Sequence, residues 1–453
     1  VSISGLLNIS WNALTSNQMA MNITGANIAN VNTPGYTRQT AEISATGRVD
    51  IAADQTYFGV EVSSVRHFYD RYLEMQLTEQ SQRAGYDEKR QEILAQIEGV
   101  FSESGDSGLN ELLNQFWNSW ESLSTNPANQ VARYSAVNTA DNLAALFNEN
   151  SNVLINVQQD IKVDMGHAVD EVNALTREIA DLNQQILSSG SGVGNTNTLE
   201  DRRLELIKEL SRNVNISYYE NDDGTISTFL SGGMLLVGGN KSAQLSVTDG
   251  QVFFADRPSD IINDLITGGK IGAMIAMGET TLQGYMDNLD QLANGIVAAV
   301  NTQHQAGLDS SGVAGGLFFA ASTGARNMAV SAAIRQDPLL VAASDLAGNN
   351  GENARLIGAL KDSLAMNGGA TTFNDYYALL VGRVGYDVKD VEGSIERTLA
   401  VTNQLTEQRE KISGVSLDEE IIALIQYQFG YNAAGKLVSI ADELVDTLLS
   451  LAK

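Results

Sequence analysis

Apolar residues that step alternately by four and three positions recur in this chain over distances longer than a compact domain needs. Ile161, Met165, Ala168, Val172, Leu175, Ile179, Leu182 and Ile186 form one such run. Ile271, Ile275, Gly278, Leu282, Tyr285, Leu289, Leu292, Ile296 and Ala299 form a second. Tyr377, Val381, Val384, Val388, Val391, Ile395, Thr398, Thr402 and Leu405 form a third. This is the seam spacing of packed helices. At the helical rise per residue the first run spans about 38 Å and the third about 42 Å. Rods of that length predict a mainly α, elongated bundle. Further helices are expected around residues 68–100, 108–123 and 129–150, with Pro127 in the break between the last two.

The N-terminal stretch is amphipathic without charge. No charged side chain occurs from Val1 to Thr37, and seven asparagines stand where Lys and Glu would solvate a helix. Leu7, Trp11, Leu14, Gln18, Met21, Gly25 and Ile28 nevertheless keep the four-and-three spacing. Thr33-Pro34-Gly35-Tyr36 then reads as a type II turn. Such a helix suits a crowded, desolvated place, where buried ions would cost several kcal/mol each, roughly. An ordinary core helix that lacks charge fits equally, and the stretch leaves both readings open.

The C-terminus answers it. Ser416 and Glu419 read as a capping box after Gly414. Ile422, Ile425, Phe429, Ala433, Leu437, Ile440, Leu444, Leu448 and Leu451 then make one apolar stripe. Leu417, Ile421, Leu424, Tyr431, Val438, Val445 and Leu449 make a second. A helix apolar on most sides needs partners, in this chain or in neighbouring copies. Residues 213–256 break the helical pattern with the alternation Val214-Asn215-Ile216-Ser217-Tyr218 and turns at Asp223-Gly224 and Asp249-Gly250. The expected order is helices out, a small β-hairpin element at the far end, farthest from the axis, and helices back. The division is 1–37 with 416–453 as a terminal-helix unit, 38–212 with 257–415 as a helical rod, and 213–256 as the β element.

Composition narrows the function classes. The 453 residues include no cysteine, which excludes disulfides and thiolate chemistry. A formal charge of −27 disfavours nucleic acid and anionic membrane surfaces. No apolar run approaches the roughly 18 residues of a membrane span, and no cleavable signal peptide is expected at the start. Phosphate-loop, zinc-protease and nucleophile-elbow motifs are absent, and His67, His167 and His304 lie far apart in sequence. His167 reads as a surface helix position. Gly190, Gly192 and Gly194 follow a helix rather than a strand and read as a flexible connection. The acidic run from Glu220 to Gly224 reads as a hairpin turn rather than a calcium loop. Glu419 and Glu420 suit the positive end of a helix dipole. The expectation is a protein with no catalytic residues, cofactor or metal.

The terminal residues carry a resemblance. Residues 5–39, with Ala29-Asn30-x-x-Thr33-x-Gly35 at their end, resemble the N-terminal signature of axial proteins of the bacterial flagellum. Residues 413–451 are similar to the paired C-terminal signature. Rod and hook proteins usually continue with Phe and Lys where this chain has Tyr36-Thr37-Arg38-Gln39. That continuation, the tail from Ser413 to Ser450 and the spacer from Asn301 to Asp309 resemble the hook-associated protein 1 family, whose members join hook to filament. Longer relatives carry a sizeable outer domain after Phe318-Phe319, whereas residues 308–330 leave room only for a short connection here.

The resemblance implies a structural axial subunit, extracellular, exported unfolded by the flagellar type III system without a cleaved signal. It implies a ring of identical subunits, with the hook protein on one face and the second hook-associated junction protein on the other. It also implies an export chaperone on the C-terminal helix, and no membrane or nucleic-acid partner. The assembly interface is then expected at Leu7, Trp11, Leu14, Met21 and Ile28, and at Ile422, Ile425, Phe429, Leu437, Ile440, Leu444 and Leu448. Both terminal segments are expected to order only on assembly. Another flagellar axial protein, such as flagellin, hook or rod subunit, is the nearest rival. Flagellin lacks the Thr33-Pro34-Gly35-Tyr36 turn. A type III effector or translocator is the other rival, and a translocator would need an apolar hairpin for a membrane.

Overall fold

In the computed structural model of the chain, all three four-and-three runs are buried or half-buried along their whole length. The model describes residues 3–33, 35–50, 55–102, 108–189, 196–345 and 350–451, and Gly190, Gly192, Gly194 and Pro34 lie outside them. The helices are α1 (Ile3–Ala29), α2 (Arg71–Phe101), α3 (Leu109–Thr125), α4 (Gln130–Ser189), α5 (Asn197–Asn213), α6 (Gly269–Ala276), α7 (Leu282–Ala306), α8 (Ala332–Gln336), α9 (Glu352–Gly358), α10 (Phe373–Ser413) and α11 (Leu417–Leu451). Mainly α is therefore the class. The helix expected over 129–150 and the first seam merge into the 60 residues of α4, about 90 Å at helical rise. The second seam runs through α6 and α7, which join across a π turn at Met277–Thr281.

The chain travels along the rod twice. Helices α2 and α3 lead outward from the termini and α4 returns; α6 and α7 lead outward again and α10 returns. At the far end, α4 begins against the segment 338–341, where Arg133 donates to the carbonyls of Leu339 and Val341. Trp117, Trp120, Phe318, Phe319 and Phe373 are fully buried there, with Trp117 and Phe373 stacked at 5.7 Å. His304 is part of this cap. Its Nδ1 meets the Gly316 carbonyl and its Nε2 accepts the Ala342 amide, both at 2.8 Å, which assigns the proton to Nδ1. Burial holds its pKa down at about 4. The connection after Phe319 is short, and the Ala325 amide donates to Asp290 to close it.

Three expectations change. First, residues 39–67 are not helical rod but an antiparallel hairpin of β1 (Gln39–Asp50) and β2 (Gln55–His67), with a bulge at Glu42/Ile43. Thr40, Ile43, Val60, Val62 and Val65 supply the β-branched content that favours it. Second, the β element is two sheets, not one hairpin. Strands β3 (Ile216–Glu220), β4 (Ile226–Leu230), β5 (Met234–Gly238) and β6 (Lys241–Ser242) make one, and β7 (Leu245–Thr248), β8 (Gln251–Phe254) and β9 (Arg257–Ile261) the other. The turns at Asp223-Gly224 and Asp249-Gly250 form as read, with φ of 80° at Gly224 and 53° and 81° at Asp249 and Gly250.

Third, this element is not at the far end. It lies along the second half of α4, where Asn173 pairs with the Leu245 backbone in both directions at 2.8 Å. Asn183 does the same for Ile226, at 2.8 and 3.0 Å. Glu220 reaches Arg71 at 2.7 Å, at the start of α2 near the termini. The cause is the return of α4, which brings the chain back to the base before the sheets begin. Leu230, Leu236, Val237, Leu245, Val252 and Phe254 are buried and belong to the main core.

Candidate assembly interface

The terminal helices α1 and α11 lie antiparallel, with Asn27 beside Glu420 and Asn17 beside Gly430. The face α1 turns to its own chain is small and polar: Gly5, Ser10, Ser16, Ala20, Thr24 and Asn27 are its buried residues. Small side chains let the hairpin and α11 approach closely, and Ser16 Oγ donates to the Val60 carbonyl at 3.4 Å. The apolar seam of α1 points elsewhere. Leu7 and Trp11 are exposed, Trp11 by 66%, and Leu14, Met21 and Ile28 are only partly covered.

The stripe on α11 is more open still. Ile422, Ile425, Phe429, Leu437, Ile440, Leu444 and Leu448 are all exposed, Phe429 by 70%. Only Glu420, Ala434 and Ala441 of α11 are buried. Among the described residues none buries the side chains singled out from the two stripes, and with Leu14, Met21 and Ile28 half-covered they form an apolar surface along the terminal pair. A contiguous exposed apolar surface of this kind marks a contact site for another protein.

Where the pair meets the rod, a polar joint fixes it. Arg38, the first charge in the chain, bonds Glu420 at 2.7 Å and Glu419 at 2.8 Å. The other oxygen of Glu420 accepts from Asn27 Nδ2 at 2.9 Å. Asn27 Nδ2 also donates to the Gln39 carbonyl at 2.8 Å, while its oxygen accepts from Tyr36 and the Gln39 amide. Burial and the nearby carboxylates Asp201 and Glu420 push the Tyr36 hydroxyl up to about 12, so it stays a donor. The amide of Arg38 reaches the Ser413 carbonyl at 2.9 Å, tying the start of the hairpin to the end of α10. One layer below, Glu74 is clamped between Arg409 at 2.7 Å and Lys208 at 2.9 Å. Arg409 also holds the Gly35 carbonyl at 2.9 Å. Of the Thr33–Tyr36 turn, Pro34 lies outside the described residues; Tyr36 N donates to Thr33 O at 3.2 Å, and Gly35 has a φ of 78°.

Sequence reasoning missed this joint. The spacing groups Asn27 with the asparagines that stand in for solvated residues, whereas it is wholly buried. Glu419 and Glu420 sit in the first turn of α11, where the helix dipole favours them, and both carboxylates also take Arg38. The available signal was a lone cation straight after the turn and an acidic pair at the start of the last helix. His167 is exposed on α4, as read. Among the described residues no group of three or more His, Asp or Glu is placed to hold a metal, and no helix is long and apolar enough to cross a membrane.

Comparison with known proteins agrees with this anatomy. Residues 94–319 match the family model of the flagellar hook-associated protein FlgK helical domain. Residues 7–37 match that of the flagella basal body rod protein, and residues 407–451 that of the flagellar basal body rod FlgEFG protein C-terminal. Flagellar hook-associated protein 1 of Bacillus subtilis (strain 168) is 31% identical over 97% of this chain and 96% of its own length. Its counterpart in Escherichia coli (strain K12) is 26% identical over 99% of this chain and 100% of its own length. The solved structure of the flagellar hook junction protein FlgK from Burkholderia pseudomallei shares the fold, with a TM-score of 0.64 at 17% identity, over 75% of this chain and 100% of that one. With its terminal signatures, its helical rod and a relative at this identity along almost the whole length, the chain belongs to the flagellar hook-associated protein 1 family, structural proteins of the bacterial flagellum outside the cell.

Proposed function

We propose that the protein is the subunit of a junction ring between flagellar hook and filament. The observation that carries the reading is the apolar stripe of α11, exposed along its length beside a rod whose own seams are covered. In the ring, α1 and α11 of each copy pack with those of neighbours into an inner tube, and the rod forms a surrounding layer. The division is then the terminal pair as tube, the rod with its two sheets as layer, and 308–330 as the short stretch where longer relatives carry an outer domain. Burial of roughly 1.5–3 kcal/mol worth of surface per large apolar side chain drives the contact. The role needs no catalytic step, cofactor or metal.

One face of the ring binds hook protein and the other the second hook-associated junction protein. Before assembly an export chaperone covers the α11 stripe, and the chain leaves through the flagellar type III channel. The test is a two-sided pull-down of the full-length protein with purified hook protein and with candidate junction proteins. Binding to one partner on each side is expected; binding to neither would remove the adaptor reading.

A further inference from the structure

A cleft of about 580 Å³ opens at the polar joint, between α1, the β1–β2 hairpin and α5. Met19, Ile23, Ala26 and Val65 give it an apolar wall, and Asp201, Arg202 and Glu205 line it from α5, with Arg202 turned to Glu178 at 3.0 Å. Asp201 is 7% exposed. One of its oxygens accepts the Thr37 amide at 3.0 Å and the Thr37 hydroxyl also faces the carboxylate; the other oxygen is buried, and no cation among the described residues pairs with it. The cations close by are engaged elsewhere. Arg202 pairs with Glu178, Arg409 with Glu74, and Lys208 with Glu74 and Glu205. A buried carboxylate oxygen left open is costly unless a donor reaches it.

The terminal pair holds one cation that complements this cleft. Lys436 is the only basic residue of α1 and α11 together. It is exposed and has no ion-pair partner among the described residues. Phe429 and Ala433 precede it, and Ile440 follows it, at helical spacing, so the cation sits within an apolar strip. The cleft has the reverse pattern, an open carboxylate within an apolar wall. Lys436 cannot serve the cleft of its own chain. Asn27 holds Glu420 at the joint, and Lys436 lies 16 residues further along α11, about 24 Å away at helical rise.

We propose that the cleft receives α11 of a second copy, with Lys436 of that copy meeting Asp201 at the base and Glu205 at the rim. The proposal rests on the junction-ring reading and names the contact that sets the stagger between neighbouring copies. An apolar strip alone permits sliding along its length, whereas a single cation and a single open carboxylate select one register.

The experiment uses junctions isolated with their hooks and filaments from cells that make the full-length protein. A carbodiimide, which condenses a lysine amine with a carboxylate, should give covalent dimers whose linked peptides join Lys436 to Asp201 or Glu205. Lys436→Gln should reduce that dimer at least tenfold. Because the chain has no cysteine, copies carrying Glu205→Cys, co-expressed with copies carrying Lys436→Cys, should also form a disulfide-linked dimer. Both substituted residues are partly or fully exposed, so folding is not at stake. If filaments grow on these junctions and neither cross-link appears at these positions, the pairing is wrong while the ring stands. If the wild-type chain fails to restore filaments to cells lacking their own junction protein, ring and pairing fall together.

Discussion

Arg38 and Glu420 are 382 positions apart and meet through a 2.7 Å ion pair, with the Glu420 side chain only 3% exposed. The pair joins the first charge of the chain to the first turn of the last helix. It is completed by Asn27, so three segments depend on one carboxylate. Without Glu420, Arg38 keeps only the exposed Glu419, and Asn27 Nδ2 loses a buried acceptor, at a cost of about 1–3 kcal/mol. Glu420→Ala is therefore expected to loosen the terminal pair where it meets the rod. In assembled junctions hydrogen exchange should speed up at Gln39 and Arg38, while the amides of α4 keep their protection. Unchanged protection at Gln39 would mean the joint is held by other contacts.

Ile422, Phe429 and Leu437 test the stripe. All three are exposed in the single chain, so replacing them together with Asp should leave the melting of the rod within about 1 kcal/mol of wild type. In a ring each copy would bury unpaired charges, at several kcal/mol apiece, roughly. Assembly should fail, and monomer should be shed into the medium. Intact filaments on cells carrying the triple variant would refute the assignment of this face.

His304 gives the far end a pH dependence of definite sign. Its folded pKa is depressed from 6.5 to about 4 by burial, so the unfolded chain binds the proton more readily. Stability from this group is present above pH 6.5, falls as pH drops towards 4, and is lost below that. The depression corresponds to about 3 kcal/mol. Arg133, which also opposes a second positive charge there, stays throughout. Melting followed between pH 7 and 4 should show a shallower slope for His304→Gln than for wild type. Equal slopes would place the acid sensitivity elsewhere.

Arg133 is 1% exposed and caps the carbonyls of Pro127, Leu339 and Val341, with no carboxylate within ion-pair distance among the described residues. Burial lowers its pKa. Arg133→Met keeps the apolar stem and leaves the three carbonyls without that donor, at about 1–3 kcal/mol for a buried group. Urea denaturation should show a lower midpoint with an unchanged slope. A midpoint equal to wild type would mean that water replaces the guanidinium.

The free subunit should not keep its ends ordered. Helix α1 has no i,i+4 ion pair and several asparagines that favour competing turns, and of the apolar residues of α11 only Ala434 and Ala441 are buried. Ordering costs about 1–2 kcal/mol per residue, which thin helical ends recover only by burying more surface. In a verified monomer the amides of α11 and of α1 should exchange quickly and slow on assembly. Protection between Leu7 and Ile28 in the monomer would show that the ends fold alone.

The 217–254 segment shows how placement alters a prediction. Read as an outlying hairpin, it could be deleted with little effect on the rod. Packed on Asn173 and Asn183, with Leu230, Val237 and Phe254 buried, it covers the second half of α4. Its removal should destabilise the rod itself, and proteolysis of α4 would report it.

Residues Ile161 to Ile186, Ile271 to Ala299 and Tyr377 to Leu405 announced their burial in the sequence, because a seam is a local, periodic property of one helix. The terminal stripes and the turns at Gly35, Gly224 and Gly250 were legible for the same reason, since each depends on a few adjacent residues. Residues 39–67 had β-branched content but no clean alternation, and the bulge at Glu42/Ile43 shifts the register that would have produced one. The joint of Arg38, Asn27 and Glu420 was beyond the sequence, because pairing across 382 positions follows from how long helices return, not from any local pattern. The position of the two sheets had the same origin. Only the 60-residue return of α4 decides that they lie near the base of the rod rather than at its tip.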